Sequence, residues 1–359
     1  MGVDFALLGC RHPHSAAHLN TLRASPAVER FWLWDPDPDA AHVLAADAGP
    51  RLAGVGSCLE EILDTPARFA LVCRQNDDAP DTLVAAARAG KHVLTEKPGA
   101  RTAAELLPAL RAAAAANVSL GVYYCWRSHP AAAKLREIIA GGAIGYPMAV
   151  EARMVTSHVR FRDPSHWLFS RENGGGGILH WLACHWVDLL RFILGDEVTH
   201  LSALGGTLTG TPIDVEDTAA VTMRFGSGAI GTLTAGYHLS RSTAGYTGAS
   251  YDTFITIRGS LGQATWIPVP GPGPVVVQGI GPGYEDVGTR TFEFPNPPAE
   301  GYGGAHGVDF FHRWIDDARA GRRPLASGED ALRTLEWLDA AYQSMESGSL
   351  AHVEAAPLP

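Results

Sequence analysis

Two residues near the start of the chain have the spacing needed to hold a phosphate-bearing ligand. Gly9 follows the apolar run Val3–Leu8, and Asp35 follows a second run, Arg30–Trp34. In a dinucleotide-binding fold the glycine makes a tight turn after the first strand. An acid about 20 residues later bonds the ribose hydroxyls. The pyrophosphate would rest on backbone N–H groups of the loop Cys10, Arg11, His12 and His14, at the start of a helix over Ser15–Ala24. Only the first of the three usual glycines is present, since positions 11 and 14 are Arg11 and His14. Arg11 could add positive charge there. No Arg or Lys follows Asp35 in Pro36-Asp37-Pro38-Asp39, so a 2′-phosphate would meet carboxylates and NAD is expected over NADP. The plainer alternatives are an ordinary strand–helix turn at Gly9 and a turn-starting acid at Asp35.

A second group lies in the later half. Trp181, His185 and Asp188 are spaced four and three apart, which puts all three on one helical face. His185 has the side chain best suited to proton transfer near neutral pH, and Asp188 could orient its ring. His158, His166 and Trp167 precede the run Gly174–Gly177, and His180 follows it. Each of these histidines alone reads better as structural than as a ligand, and only as a set near His185 do they point to function. As metal ligands they match no HxxxH pair, because His180 and His185 are five apart, and no metal is expected.

The elements that must position these groups fall into two kinds. Val3–Leu8, Arg30–Trp34, Phe69–Cys73, His92–Thr95 and Ser119–Tyr123 read as buried strands. Between them Ser15–Ala24, Asp39–Asp47, Asp81–Ala89 and Ala103–Ala116 carry helical periodicity. That alternation predicts a parallel sheet with helices on both faces. After about residue 125 a helix over His129–Ala140 ends at Gly141-Gly142, and a strand covers Met148–Val155. A helix starts near Ile178, strands follow between 198 and 295, and two helices close the chain at Gly307–Ala320 and Gly328–Ser347. The Pro- and Gly-dense stretch 268–283 reads as a loop. The expected fold is α/β, with a dinucleotide-binding domain over 1–125. An α+β domain with a large, open, mainly antiparallel sheet follows over 126–359.

Bulk properties limit the partners. A chain of 359 residues is long for one core. With 28 Lys+Arg against 38 Asp+Glu the net charge is −10, which argues against nucleic acid as a partner. No stretch of some 18 uninterrupted apolar residues suggests a membrane span. Five scattered cysteines, Cys10, Cys58, Cys73, Cys125 and Cys184, form no CxxC pair, and the N-terminus lacks a basic leader. The expectation is a cytoplasmic protein.

Longer motifs resemble one family. His92–Pro98 (HVLTEKP) resembles the Glu-Lys-Pro motif of the Gfo/Idh/MocA oxidoreductases, and the preceding Leu83–Lys91 resembles the helix leading into it. Arg127-Ser128-His129-Pro130 resembles the family's crossover into the second domain. Gly174–Gly195 resembles its glycine-run helix, and Gly301–Ser344 its closing helices. The resemblance runs nearly end to end. It implies a Rossmann domain, an NAD cofactor, and hydride transfer at a CH–OH group of a sugar, cyclitol or derived polyol. It implies Lys97 and His185 as catalytic, with Glu96 near the nicotinamide. Arg127, His158, His166, Trp167, His180, Trp181 and Asp188 would then face the substrate, where aromatic and imidazole groups suit a sugar ring. It also implies a homodimer or homotetramer.

Two departures qualify the match. The family usually has Asp where Trp181 stands, so its Lys/Asp/His trio is incomplete. Its Pro-Asn-x-x-His segment is here Gln75, Asn76 and Ala79, of which Asn76 alone fits; Gln75 and Asn76 would still line the cofactor. Two other functions stay open. One is glycoside cleavage or epimerisation through transient oxidation by a retained NAD. The other is cofactor binding without catalysis.

Overall fold

The computed structural model describes residues 2–240, 250–269, 273–286, 288–295 and 297–359. The chain divides into two units, Met1–Ser128 with Pro297–Arg333 and Pro357–Pro359, and His129–Asn296 with Thr334–Ala356. The contiguous 126–359 domain expected from the sequence is therefore split, because Pro297–Arg333 returns to the first unit.

The first unit is built on β1 (Val3–Leu8), β2 (Val28–Trp34), β3 (Leu52–Val55), β4 (Phe69–Val72), β5 (His92–Thr95) and β6 (Leu120–Val122). They form one sheet in the order β3-β2-β1-β4-β5-β6, and every pairing is parallel. Phe5, Ala6, Leu7 and Leu8 are all fully buried, the continuous apolar run that a strand covered on both faces needs. The connecting helices are α1 (Ser15–Ala24), α2 (Pro38–Ala45), α3 (Leu59–Leu63), α4 (Ala79–Arg88) and α5 (Ala103–Ala116). Local chemistry fixes their ends. Asp37 caps α2 by accepting from the Asp39 and Ala40 amides, with Pro38 in the first turn. Thr102 caps α5 by accepting from Glu105 N–H at 3.3 Å, and Glu105 accepts from Arg101 N–H at 3.1 Å. Asn117 ends α5 in the left-handed region at φ 52°.

Further along the chain come α6 (Pro130–Ala140), α7 (Arg171–Gly174) and α8 (Cys184–Leu194) in the second unit, and α9 (Gly304–Arg319) in the first. The last helix is α10 (Gly328–Ser347). The α9 segment belongs with the Rossmann sheet because Phe311 and Trp314 pack on Phe5, at 5.1 and 6.3 Å between ring centroids.

The second unit's sheet comprises β7 (Pro147–Ser157), β8 (Val198–Gly206), β9 (Thr218–Phe225), β10 (Ile230–Leu239) and β11 (Tyr251–Gly259). It is completed by β12 (Gly262–Trp266), β13 (Val275–Gly279), β14 (Thr289–Phe292) and β15 (Ala351–His352). The order is β14-β13-β12-β11-β7-β10-β9-β8-β15, antiparallel except where β7 meets β10. In β9, Ala219, Val221, Met223 and Phe225 are buried while Ala220, Thr222 and Arg224 are exposed, the alternation of a sheet covered on one face. The loop expected over 268–283 contains β13; Val275 and Val277 are fully buried there, and that burial outweighs the Pro- and Gly-rich surroundings. Residues 270–272 of that stretch lie outside the described residues. The segment 171–194 is apolar enough to cross a membrane by composition, yet 89% of its most apolar window is buried within the protein.

Candidate active site

In the first unit the strand order reverses between β1 and β4. Parallel α/β sheets bind ligands beyond the carboxyl ends of the strands at such a point. Gly9 leaves β1 there with φ +112°, and a Cβ on it would stand 2.1 Å from the Cys73 carbonyl oxygen at the end of β4. Only glycine fits. The helix that follows, α1, has no side-chain cap and no acid in its first turn, unlike α2 and α5. The dipole of that helix start favours an anion, but of the amides expected to hold the pyrophosphate, Cys10 N–H is committed to Asp35 at 2.6 Å and His14 N–H to the His12 ring at 3.1 Å. His14, where a third glycine was missing, does not fill that space; its ring turns inward to Glu96. These features fit a dinucleotide.

At the ribose end, Asp35 is fixed from two sides. Its Oδ2 accepts from Cys10 N–H at 2.6 Å and its Oδ1 from Asp37 N–H at 2.9 Å. Burial, with Asp35 adding, pushes the Cys10 thiol up to about 12. Gln75 and Asn76 sit just past β4, Asn76 buried and Gln75 half-buried.

A buried cluster surrounds Glu96, which follows β5. Its Oε1 accepts from His14 Nδ1 at 3.1 Å and His18 Nε2 at 2.5 Å, and its Oε2 from Lys97 N–H at 3.1 Å. A carboxylate only accepts, so each of those ring nitrogens carries the proton. Burial alone would raise the Glu96 carboxyl, but the charge and hydrogen bonds of His14 and His18 outweigh it and hold the group well below the usual range. Burial also lowers His12 and His14, against the opposing pull of Glu96. The Tyr302 ring packs 4.4 Å from His14 and 4.5 Å from His18. Lys97 itself is 1% exposed. His12, Cys73 and Glu96 bring three potential metal donor atoms within 4.8 Å, but both Glu96 oxygens already accept hydrogen bonds.

In the second unit the glycine run is shaped by Glu216. Its carboxylate accepts from Gly177 N–H at 2.9 Å, Leu179 N–H at 3.0 Å and the Tyr342 hydroxyl at 3.0 Å. His180 Nδ1 lies 3.1 Å from that same hydroxyl. A Cβ at Gly176 would stand 1.8 Å from the Tyr342 oxygen, and one at Gly177 1.9 Å from the Glu216 carbonyl. The glycines are there because these two atoms occupy side-chain space. Beyond them Leu179–Ala183 winds as a π-helix before α8 begins at Cys184. Trp181 lies in that π turn, while His185 and Asp188 both lie in the regular helix α8, so the four-residue spacing from Trp181 to His185 no longer sets a common face.

The structure revises several assignments. Arg127 donates to the Leu325 carbonyl at 2.9 Å and pairs with Asp330 at 3.1 Å, so its guanidinium ties the first unit together instead of facing substrate. Asp188 is 1% exposed and lies 3.8 Å from Arg191. Trp167 and Trp181 are buried, at 8% and 4% exposure. His158 and His166 cap short turns by accepting from Arg160 and Leu168 amides at 3.1 and 3.3 Å. Lys97 belongs to the first unit and His185 to the second. Reasoning from sequence missed His18, Arg74 and Glu216. His18 had a signal, since it stands one helical turn after His14; Glu216, inside Asp214–Asp217, had none.

Residues 3–124 match the model of an oxidoreductase family with an NAD-binding Rossmann fold, and 132–265 match the GFO/IDH/MocA C-terminal domain. The 1,5-anhydro-D-fructose reductase of Ensifer adhaerens is 34% identical over 183 residues, 49% of this chain and 54% of that protein. That alignment spans about half the relative's length. The myo-inositol 2-dehydrogenase of Thermotoga maritima is 30% identical over 291 residues, 80% of each chain. A levoglucosan dehydrogenase solved in complex with NADH and L-sorbose shares the fold at TM-score 0.84, with 23% identity over 99% of this chain and 100% of that one. With both halves matched and a relative aligned across four-fifths of its length, the chain belongs to the Gfo/Idh/MocA family of NAD-binding oxidoreductases.

Proposed function

We propose that the chain is an NAD(H)-dependent dehydrogenase or reductase acting on a CH–OH group of a sugar, cyclitol or sugar-derived polyol. The observation that carries this reading is the reversal of strand order between β1 and β4 in the first unit. An uncapped helix start, a glycine forced by close packing, and Asp35 held at the end of β2 lie at the reversal of the strand order. The relatives' names support the substrate class: a reductase of an anhydrosugar and a dehydrogenase of a cyclitol. A bound nicotinamide supplies the hydride acceptor. The chain's own part is to take the hydroxyl proton and steady the developing alkoxide. Lys97 supplies the cation and His185 the base, while the Glu96 cluster fixes the backbone at Lys97. Self-association and a cytoplasmic home belong to the same proposal; Leu204 and Ile230, exposed at 75% and 54% on the sheet, support the first. Sedimentation and cell fractionation test these two.

NADH formation from NAD+ across a panel of cyclitols, aldoses and anhydrosugars tests the activity. No turnover in either direction, with NADH bound tightly, would leave only cofactor binding. Trp181 in the usual Asp position favours a second reading, glycoside cleavage or epimerisation by transient oxidation. That chemistry consumes substrate with no net NADH.

A further inference from the structure

The four residues after Asp35 carry no basic side chain, but the fold brings two from elsewhere. Arg74, two residues past β4, points Nη1 at Asp35 Oδ2 from 3.4 Å and bonds Asp78 with Nη2. Its guanidinium lies over the Trp34 ring, 5.6 Å from the centroid. Its side chain is 11% exposed and that of Asp35 is 0%. Arg11 approaches Asp37 at 3.6 Å from a largely exposed position. The charged groups around the ribose end are therefore Asp35, Asp37 and Asp78 against Arg74 and Arg11.

This changes the electrostatic argument. A lone acid at the end of β2 excludes a 2′-phosphate by repulsion while accepting from the ribose hydroxyls. An acid paired with a guanidinium repels far less, and the planar fork of an Arg has donors to spare for phosphate oxygens. Both Asp35 oxygens are already held by the Cys10 and Asp37 amides, so the carboxylate keeps its place if Arg74 turns from it to a ligand. Trp34 is a platform along which the guanidinium can shift without losing its stacking.

We propose that Arg74 sets the choice of dinucleotide, admitting the 2′-phosphate of NADP(H) beside Asp35, so that the chain binds both cofactors with NAD(H) the tighter. This rests on the reading of that strand-order reversal as a dinucleotide site.

The test is equilibrium binding, followed by the chain's own tryptophan fluorescence, with NADH and NADPH as probes. Wild type, Arg74→Ala and Arg74→Lys are compared at low and high salt. Wild type should bind NADPH measurably. Arg74→Ala should weaken NADPH by about 10- to 100-fold, the size of a charge-assisted hydrogen bond, and move NADH by less than about threefold. Arg74→Lys should recover much of the NADPH affinity. The salt dependence of NADPH binding should shrink in Arg74→Ala. Equal losses for both cofactors in both variants would show a merely structural ion pair and overturn the proposal. NADH binding without any NADPH binding in wild type would also overturn it while leaving the cofactor reading intact. Binding of neither would remove both.

Discussion

Glu96 in the first unit and Glu216 in the second are both buried carboxylates that organise a candidate site, yet they do so with different partners. Glu96 is bonded by two imidazoles and one amide. Glu216 is bonded by two amides and a phenol whose pKa burial pushes far above neutrality. The first network draws on an imidazole, His14, whose pKa burial lowers, and on a carboxylate held well below its usual range, so it changes charge only in acid. The second network's donors, two amides and a phenol, gain no charge in acid, while burial raises the Glu216 carboxyl itself; together they support the helix carrying His180 and His185. The glycines differ in the same way. Gly9 lets two strand ends approach one another, whereas Gly176 and Gly177 make room for the groups that hold a helix start.

The largest effect should come from removing the groups that each support presents. Lys97→Ala and His185→Ala should each lower kcat by roughly 100-fold or more, with NADH affinity changed far less. Steady-state kinetics on the best substrate, with NADH titration of the same variants, checks this. Full turnover in His185→Ala would leave the second unit's helix without a chemical role.

How much of this could be read from the sequence differs between the two regions. In the first unit the strand runs, Gly9, Asp35 and the Glu96-Lys97-Pro98 turn were legible because each feature is local: apolar continuity, a glycine at a strand end, an acid at the next. Arg74 beside Asp35 was not, since a contact across 39 residues depends on β1 standing between β2 and β4. In the second unit the helix carrying His185 was legible, but the π turn over Leu179–Ala183 was not, because one extra residue per turn leaves no mark in the apolar pattern. Arg127 was read as a ligand contact because a charged residue in a motif looks the same whether it meets a substrate or an internal partner. The return of α9 to the first unit was hidden too, since Phe311 and Trp314 would suit any core.

Next in size is the loss of the fixed support. Glu216→Ala removes the acceptor from the Gly177 and Leu179 amides and the Tyr342 hydroxyl, and leaves buried donors unsatisfied. It should lower stability by about 2–4 kcal/mol, read from urea or thermal unfolding. Glu216→Gln keeps one carbonyl oxygen and should cost less. If Glu216 only holds the helix start, the pH profile of kcat in Glu216→Gln should keep the wild-type shape, with the rate alone reduced. A shifted profile would mean the carboxylate titrates during turnover, and the contrast with Glu96 would fail.

The smallest effect comes from a helix cap in the second unit, which, unlike the amide and phenol donors at Glu216, changes its own charge in acid. His129 opens α6 in the second unit, and its Nδ1 accepts from Ala131 N–H at 3.1 Å, which requires a neutral ring. Burial lowers its pKa to about 4 from an ordinary 6.5. Below pH 6.5 the unfolded chain therefore takes up a proton that the folded chain refuses until near pH 4. Stability present above pH 6.5 is lost as the pH falls through that window. Glu96, His12 and His14, all held low in the folded state, add acid sensitivity of the same sign. A single pH series on the wild type cannot separate them. His129→Asn keeps a good cap and removes the titration. Between pH 7 and pH 5 the wild type should lose about 1–2 kcal/mol more than this variant, measured by urea unfolding at each pH. The first unit's contribution is common to both chains and cancels in that difference. Parallel losses in the two chains would place all of the acid sensitivity outside His129.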